Sequence, residues 1–505
     1  METLDKITPQ SAAAELQAGV AFKQGIELYD CVETNENFFI GKQWEGVEAG
    51  GLPTPVFNFL KRVVLFAVAN VSTDNWTLHA QPLSAESEHG PGLELLTEAL
   101  NQQFAALFEA NRLGTLLRQF TRNAAVDGDG CTYTYWDGTA PGGGTIRTEL
   151  LRNTQVHFGN PNSREVEEQP YLLIERRELL ERVRQRAEAC GADSGAVVPD
   201  EKSGGGDLDA LGGDKVTVLL RLWKNPDTGT VWGYECTSGV ELRKPWDLGI
   251  SRYPITWMNW DYVQDCCHGQ AMITGLIPNQ IFVNKLFAMS MISLMTLAYP
   301  KVVYDRTKVA QWTNRVGAAI AVGGPVENVA RTIGPAAISP QIGQFIDLAV
   351  SYTQRFLGAS DAALGDARPE NASAIIALQR AAATPMELTR QNLLQSIEDL
   401  GRIYMEFMGE YYGVRWVETD GVTIPLDFGV LKAVPCGVKL DVGASSYWSE
   451  IASMQTLDNL LLQGKISTVE YLKRIPEGQI TNKQALIEAL EAEKEGAAYG
   501  TAETH

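Results

Sequence analysis

Between Thr384 and Gly413 the apolar positions Leu393, Ile397, Leu400, Tyr404, Phe407 and Tyr411 recur in alternating steps of four and three. That spacing puts them on one seam of a single helix that packs against a partner surface. Thr384, Pro385 and Glu387 predict the start: Thr as cap, Pro at the first helical position, Glu returning to the cap N–H. Gly413 predicts a left-handed end. The most apolar stretch, Leu276–Tyr299, follows another rule, because its apolar residues cover nearly every face. Such a helix is predicted to be buried on all sides, within the chain or between subunits. Pro278, Asn279, Gln280, Asn284 and Lys285 interrupt it early, leaving Leu286–Tyr299, which is short of the roughly 20 residues a membrane span needs.

Shorter patterns fill the remainder. Tyr171–Arg176 suits a strand, and Glu178–Cys190 a charged helix with Leu179, Leu180, Val183 and Ala187 inward and Gly191 as its stop. Gly191–Asp214 is rich in Gly, Asp and Ser and predicts a mobile loop. Val216–Trp223 and Thr230–Cys236 predict two strands joined by the turn residues Asn225–Gly229. Lys301–Tyr304 and Ala318–Val322 are strand candidates, Pro325–Pro340 a loop, and Gln341–Leu357 a helix. Ser467–Glu470 and Thr481–Gln484 have the form of capping boxes, with Gly464 and Pro476 as breaks, so the C-terminal part is predicted helical.

Composition narrows the picture without selecting a function. The 505 residues, 45% hydrophobic, can bury a large core and form several regions. With 62 acidic and 42 basic residues the formal net charge is −20, which argues against a protein that grips nucleic acid by its phosphates but not against one that lets DNA pass. No charged segment precedes an apolar run in Met1–Val20, so no secretory signal is read, and the 7 cysteines are expected to be reduced.

Candidate chemistry is sparse. Asp127-Gly128-Asp129-Gly130 could suggest a cation loop, yet no bidentate Glu follows at the spacing of a calcium hand, and a β-turn is the preferred reading. Cys266-Cys267-His268 lacks the two-residue gap of zinc knuckles and reads as structural. Gly142–Thr145 and Gly212–Lys215 lack the rest of a phosphate loop. The five histidines, His79, His89, His157, His268 and His505, have no motif-based nucleophile partner. Neither enzyme activity nor a cofactor is therefore expected, and the alternative is a metal-dependent hydrolase using Asp127 and Asp129.

Several motifs in order carry a resemblance. Leu364–Ile375, LGDARPENASAI, precedes a helical run through Leu378-Gln379-Arg380; Phe38–Trp44, FFIGKQW, is followed by Asn58; Gly128-Asp129-Gly130 precedes the strand-like Tyr133–Asp137; and His268-Gly269-Gln270 leads into Ile277-Pro278-Asn279-Gln280 and Asn284. Together, from about Tyr29 to Ile475, the chain resembles the portal proteins of tailed bacteriophages, although each motif alone is short. Another ring-forming virion component, an adaptor or tail-tube protein, is a further alternative. The resemblance implies an α+β fold with a wing and hub core, a helical stem, a small β clip and a helical crown, assembled as a ring of twelve.

On that reading residues 1–170 form the N-terminal wing and hub, 171–190 the first stem helix, 191–260 the clip, 261–299 the second stem helix, 300–443 the C-terminal wing and hub, and 444–505 the crown. The tunnel loop is expected at about 325–340, with Val329, Ala330, Arg331, Thr332 and Ile333 at its tip, or else at Ala359–Ala372. Trp223, Lys224, Asn225 and Asp227 are the candidate clip interface, and Ile281, Phe282, Asn284, Met289, Met291 and Met295 the candidate stem contacts between subunits. The implied function is a DNA channel at one capsid vertex, used for packaging, head-to-tail joining and ejection. The implied partners are further copies of the chain, a terminase motor, a head-completion adaptor, the major capsid and scaffolding proteins, and double-stranded DNA in transit, with no membrane. The implied location is the virion, and the host cytoplasm during assembly.

Overall fold

The computed structural model describes residues 7–51, 53–72, 76–82, 90–200, 214–298, 301–313, 315, 319–327, 329–333, 341–356, 384–419, 422–433, 436–442, 447–475, 483, 486–487 and 489–490. In chain order the first elements are α1 (Pro9–Gly25), α2 (Leu28–Ile40), α3 (Phe59–Val71), β1 (Trp76–Pro82), α4 (Gly90–Ala110) and α5 (Leu113–Asp127). Then come β2 (Asp129–Asp137), β3 (Thr145–Leu151), β4 (Val156–Phe158), β5 (Leu172–Leu179), α6 (Leu180–Ala189), β6 (Lys215–Lys224), β7 (Val231–Cys236), β8 (Glu241–Asp247) and β9 (Ile255–Asn259). The remainder is α7 (Ile277–Ala298), β10 (Lys301–Tyr304), β11 (Ala330–Ile333), α8 (Gln341–Phe356), α9 (Glu387–Tyr411), β12 (Val414–Thr419), β13 (Val422–Asp427), β14 (Cys436–Val442), α10 (Tyr447–Leu462) and α11 (Thr468–Arg474). The fold is α+β.

The main core forms where α9 lays its seam across two sheets. Leu393, Ile397, Leu400, Tyr404 and Phe407 are buried in one cluster with Phe120, Ala124, Cys131, Leu78 and Val438 from α5, β2, β1 and β14. The partner surface of the seam is thus the chain itself. Tyr404 Oη lies 2.7 Å from Thr148 Oγ1, which in turn lies 3.1 Å from Thr134 Oγ1, so the hydroxyl that the seam carries into this core at Tyr404 is satisfied. Gly413 adopts φ +58 just beyond the helix, the predicted left-handed end. The start differs: Thr384–Met386 is a turn of 3-10 helix, and α9 begins at Glu387 with Met386 at its cap position.

The middle of the chain corrects the expected small, separate β element. β6 and β7 do pair antiparallel, but they are inner strands of a five-stranded sheet ordered β4-β5-β6-β7-β8. β9 lies beside β2 in a second sheet, ordered β3-β2-β9. α6 spans only ten residues and packs Leu180, Val183 and Ala187 on β6 and β8, whereas Leu179 belongs to β5 and points to solvent. The first part of the expected mobile loop is also built in. Val197 is buried in the same cluster, Asp200 Oδ1 accepts from Thr217 N at 2.8 Å and pairs with Arg177, and residues 201–213 lie outside the described ones.

In the C-terminal part Ser467 Oγ accepts from Glu470 N at 3.3 Å and caps α11, and Gly464 with φ +66 follows α10, both as the sequence predicts. Thr481–Gln484 lies almost entirely outside the described residues.

Candidate functional site

The Asp127–Gly130 segment is a helix-to-strand junction, not a β-turn. Asp127 ends α5, Gly128 caps it with φ +99, and Asp129 opens β2. A Cβ on Gly128 would sit 2.6 Å from Gly269 O, so both the backbone angle and the close approach demand glycine. Asp129 is buried, and both its oxygens are engaged twice. Oδ1 accepts from Asn259 Nδ2 at 2.8 Å and Gly269 N at 2.7 Å; Oδ2 accepts from Asn153 Nδ2 at 3.1 Å and lies 2.7 Å from His268 Nδ1. A carboxylate whose lone pairs are filled by donors of its own chain is a structural node. Among the described residues no group of three or more His, Cys, Asp or Glu could hold a metal, so the hydrolase reading gains no support.

Around this node other charges are buried. Lys23 of α1 donates to three carbonyls, Asn153 O at 2.9 Å, Thr154 O at 3.0 Å and Val156 O at 2.7 Å, and burial pulls its pKa down to about 7. His157 is also buried, its pKa driven well below 6.5 by burial and then by the neighbouring Lys23 charge. Asp127, with one carboxyl oxygen unpartnered, is raised to about 6 by burial, which outweighs the opposing pull of Arg152 and Arg122. These groups tie α1, β4, β9 and the loop before α7 into one piece.

The FFIGKQW segment, Asn58 and the start of α7 converge at a second polar node, the root of α7. Gln280 Nε2 donates to Phe57 O at 2.8 Å and Asn284 Oδ1 at 3.0 Å; Asn284 Nδ2 donates to Gln43 Oε1 at 2.7 Å. Asn58 caps α3 through Lys61 N at 3.1 Å and donates to Phe39 O at 3.0 Å, and Trp44 Nε1 donates to Pro55 O at 2.9 Å. Asn284, one of the candidate subunit contacts, is therefore 2% exposed and spent inside the chain.

Beyond this root α7 is not buried on all sides. Ile281 is half-buried, while Phe282, Met289, Met291, Leu294 and Met295 are exposed, the last two at 55% each. α8 runs antiparallel beside it, with Asn279 Nδ2 near the start of α7 donating to Thr353 Oγ1 near the end of α8 at 3.0 Å. It carries its own exposed stripe of Phe345, Leu348 and Tyr352. Among the described residues no helix is long and apolar enough to cross a membrane.

Between these helices β10 and β11 form an antiparallel ribbon that pairs Lys301 with Ile333 and Val303 with Arg331. Ala330, Arg331, Thr332 and Ile333 thus lie in a strand where the sequence reads as loop, and Val329 accepts from Asp305 N at 2.9 Å. Arg331 is exposed. The described part of Ala318–Val322 is not strand, and Ala359–Ala372 lies outside the described residues. The candidate clip contacts sit on the five-stranded sheet. Trp223 and Lys224 end β6, Lys224 Nζ lies 2.7 Å from Glu167, and Asn225 Oδ1 accepts from Asp227 N at 3.0 Å inside the turn to β7.

Compared with known proteins, no curated protein matches the chain. Residues 200–419, somewhat under half of the sequence and running from β6 through β12, match the family model described as Phage P22-like portal protein. That match bears out the resemblance to tailed-phage portal proteins read from the motifs.

Proposed function

We propose that this chain is the subunit of a ring, twelvefold by analogy with the family, that forms the DNA channel at one capsid vertex and serves packaging, head-to-tail joining and ejection. The observation that carries the reading is the outward apolar surface of the α7 and α8 pair, within the matched segment. Exposed Phe, Met, Leu and Tyr on two adjacent helices cost free energy in water and are the expected mark of surfaces covered by other subunits. In this assignment α7 and α8 are the stem helices and the β10–β11 ribbon between them is the clip. The five-stranded sheet then belongs to the wing and hub. The tunnel loop falls to Ala359–Ala372, and the clip contacts move from Trp223–Asp227 to the ribbon.

The net charge of −20 supports a lumen along which duplex DNA slides without sticking. The protein has no catalytic role in this reading. A terminase motor supplies the energy, an adaptor docks later, and the capsid and scaffolding proteins surround the ring, in the virion and earlier in the host cytoplasm. Negative-stain imaging of the purified full chain tests the ring. Closed rings with a central hole are the expected result, and a population of monomers at every concentration would overturn the proposal.

A further inference from the structure

A cavity of about 340 Å³ lies beside β9, between the stretch 164–167 and the first half of α9, and the proposed ring makes no use of it. Its floor is a strand edge. β9 is the outer strand of the β3-β2-β9 sheet. Thr134 N donates to Pro254 O at 2.9 Å and Trp260 N to Gly128 O at 2.9 Å, so in this register Thr256 and Met258 exchange their hydrogen bonds with β2. The alternation of an antiparallel ladder then turns the N–H and C=O of Ile255, Trp257 and Asn259 outward. Asp261, next in that series, shows the direction: its N donates to Gln270 O at 3.3 Å and its O accepts from Gln270 N at 3.0 Å, on the side away from β2. The backbone groups of Ile255, Trp257 and Asn259 meet no partner among the described residues, and all three residues line the cavity.

The walls decide what this edge takes. Thr256 stands opposite Thr132, on the sheet face that meets α9 through Thr134, Thr148 and Tyr404, and it lines the cavity together with Ser396 of α9. Thr256 is 5% exposed and its Oγ1 has no partner among the described residues, so a buried hydroxyl at the cavity has a hydrogen bond left to make. The ionic groups of the walls are already spent: Arg164 pairs with Glu165 at 3.4 Å, Glu167 with Lys224 at 2.7 Å, Arg252 with Glu406 at 3.6 Å, and Asp399 with Arg402. A charged side chain entering here would find no free counter-charge, whereas a neutral polar one would meet Thr256. We propose that the outer edge of β9 is a docking site for an extended, uncharged segment of a second protein, which adds to the sheet as a further strand and sets a Ser, Thr, Asn or Gln side chain against Thr256. The guest backbone supplies the partners that Ile255, Trp257 and Asn259 lack, at the two-residue repeat of about 6.6 Å common to both strands. The surface assigned to neighbouring copies is the apolar one of α7 and α8, and this polar groove on β9 and α9 is therefore assigned to a different protein.

The test uses the full chain and labelled pentapeptides of the form acetyl-X-Val-X-Val-X-amide, X being Ser, Thr, Asn or Gln. Affinity is read by fluorescence polarisation, and the place of binding by amide hydrogen exchange. The expected result is that bound peptide slows exchange across 255–259, and that methylating the peptide nitrogens that face β9 weakens binding about tenfold or more. Thr256→Val removes a hydroxyl that makes no bond in the free chain, so it should fold as the parent does and bind the peptide more weakly. Gln395→Trp, at an exposed position on the α9 wall, should block the groove and abolish binding. The site is overturned if no neutral peptide binds at up to about 1 mM, if the methylated peptide binds as well as its parent, or if both variants keep the parent affinity. Protection of 255–259 gained on assembly of the chain alone would give the edge to a neighbouring copy, and it too would overturn the proposal.

Discussion

The hub around α5, β2 and α9 and the arm formed by α7, the β10–β11 ribbon and α8 are built on opposite terms. In the hub the central groups find their partners within the chain: Asp129 takes four donors, the hydroxyl of Tyr404 meets Thr148, and the α9 seam is covered by two sheets. In the arm only the root is finished. Gln280 is fully buried, yet Met295, four turns further along the same helix, is 55% exposed. The proposed ring contacts therefore fall to the exposed apolar surface of the arm and not to the hub.

The largest test of this contrast is Asp129→Ala, which leaves four buried donors without an acceptor. We expect a loss of about 3–5 kcal/mol, read from urea unfolding of the isolated chain. A loss near zero would remove the node from the stability of the hub. Next comes Asp127→Asn, with a sign set by pH. The folded carboxyl titrates near 6 and the unfolded one near 3.8, so the folded state holds the proton more tightly, and wild-type stability falls as pH rises from about 4 through 6. The stability of Asp127→Asn relative to wild type should therefore rise across that window by roughly 2–3 kcal/mol and stay level above pH 7. A flat difference between pH 4 and 7 would mean that water reaches the carboxyl.

Ser467→Ala, which removes the α11 cap, should cost about 1 kcal/mol and shift only the C-terminal part, as hydrogen exchange would reveal. The smallest expected effect on stability is the sharpest test of the comparison. Met291→Asp changes an exposed position, so the isolated chain should unfold within about 0.5 kcal/mol of the parent. In the assembled state it sets a charge in the covered surface, and light scattering should find rings lost or dissociating. Full-size rings from this variant would move the subunit interface elsewhere.

What was legible in the sequence were patterns that act locally. The α9 seam, the β6 and β7 strands, Lys301–Tyr304, the helix at Gln341 and the Ser467 cap depend on near neighbours, and each is present. Long-range pairing left weaker marks. β4 has three residues and β11 four, too few for an alternation to register, and the latter is flanked by Gly and Pro that read as loop. Nothing local says that β5 and β6 belong to one sheet across a Gly-rich insertion, or that Leu179 extends a strand instead of opening a helix. The Asp129 node was missed for a related reason. Gly-Asp-Gly suits a turn, and only the fold brings Asn153, Asn259 and His268 from three other segments to its carboxylate.

The polar node at Gln43, Gln280 and Asn284 also makes α7 a lever. A helix of 22 residues is about 33 Å long, and a tilt of about 5° at its fixed end carries the far end through about 3 Å. Small repacking at the root, where three side-chain amides and one backbone carbonyl set the angle, is thus magnified at the ribbon, which α7 enters directly and α8 leaves.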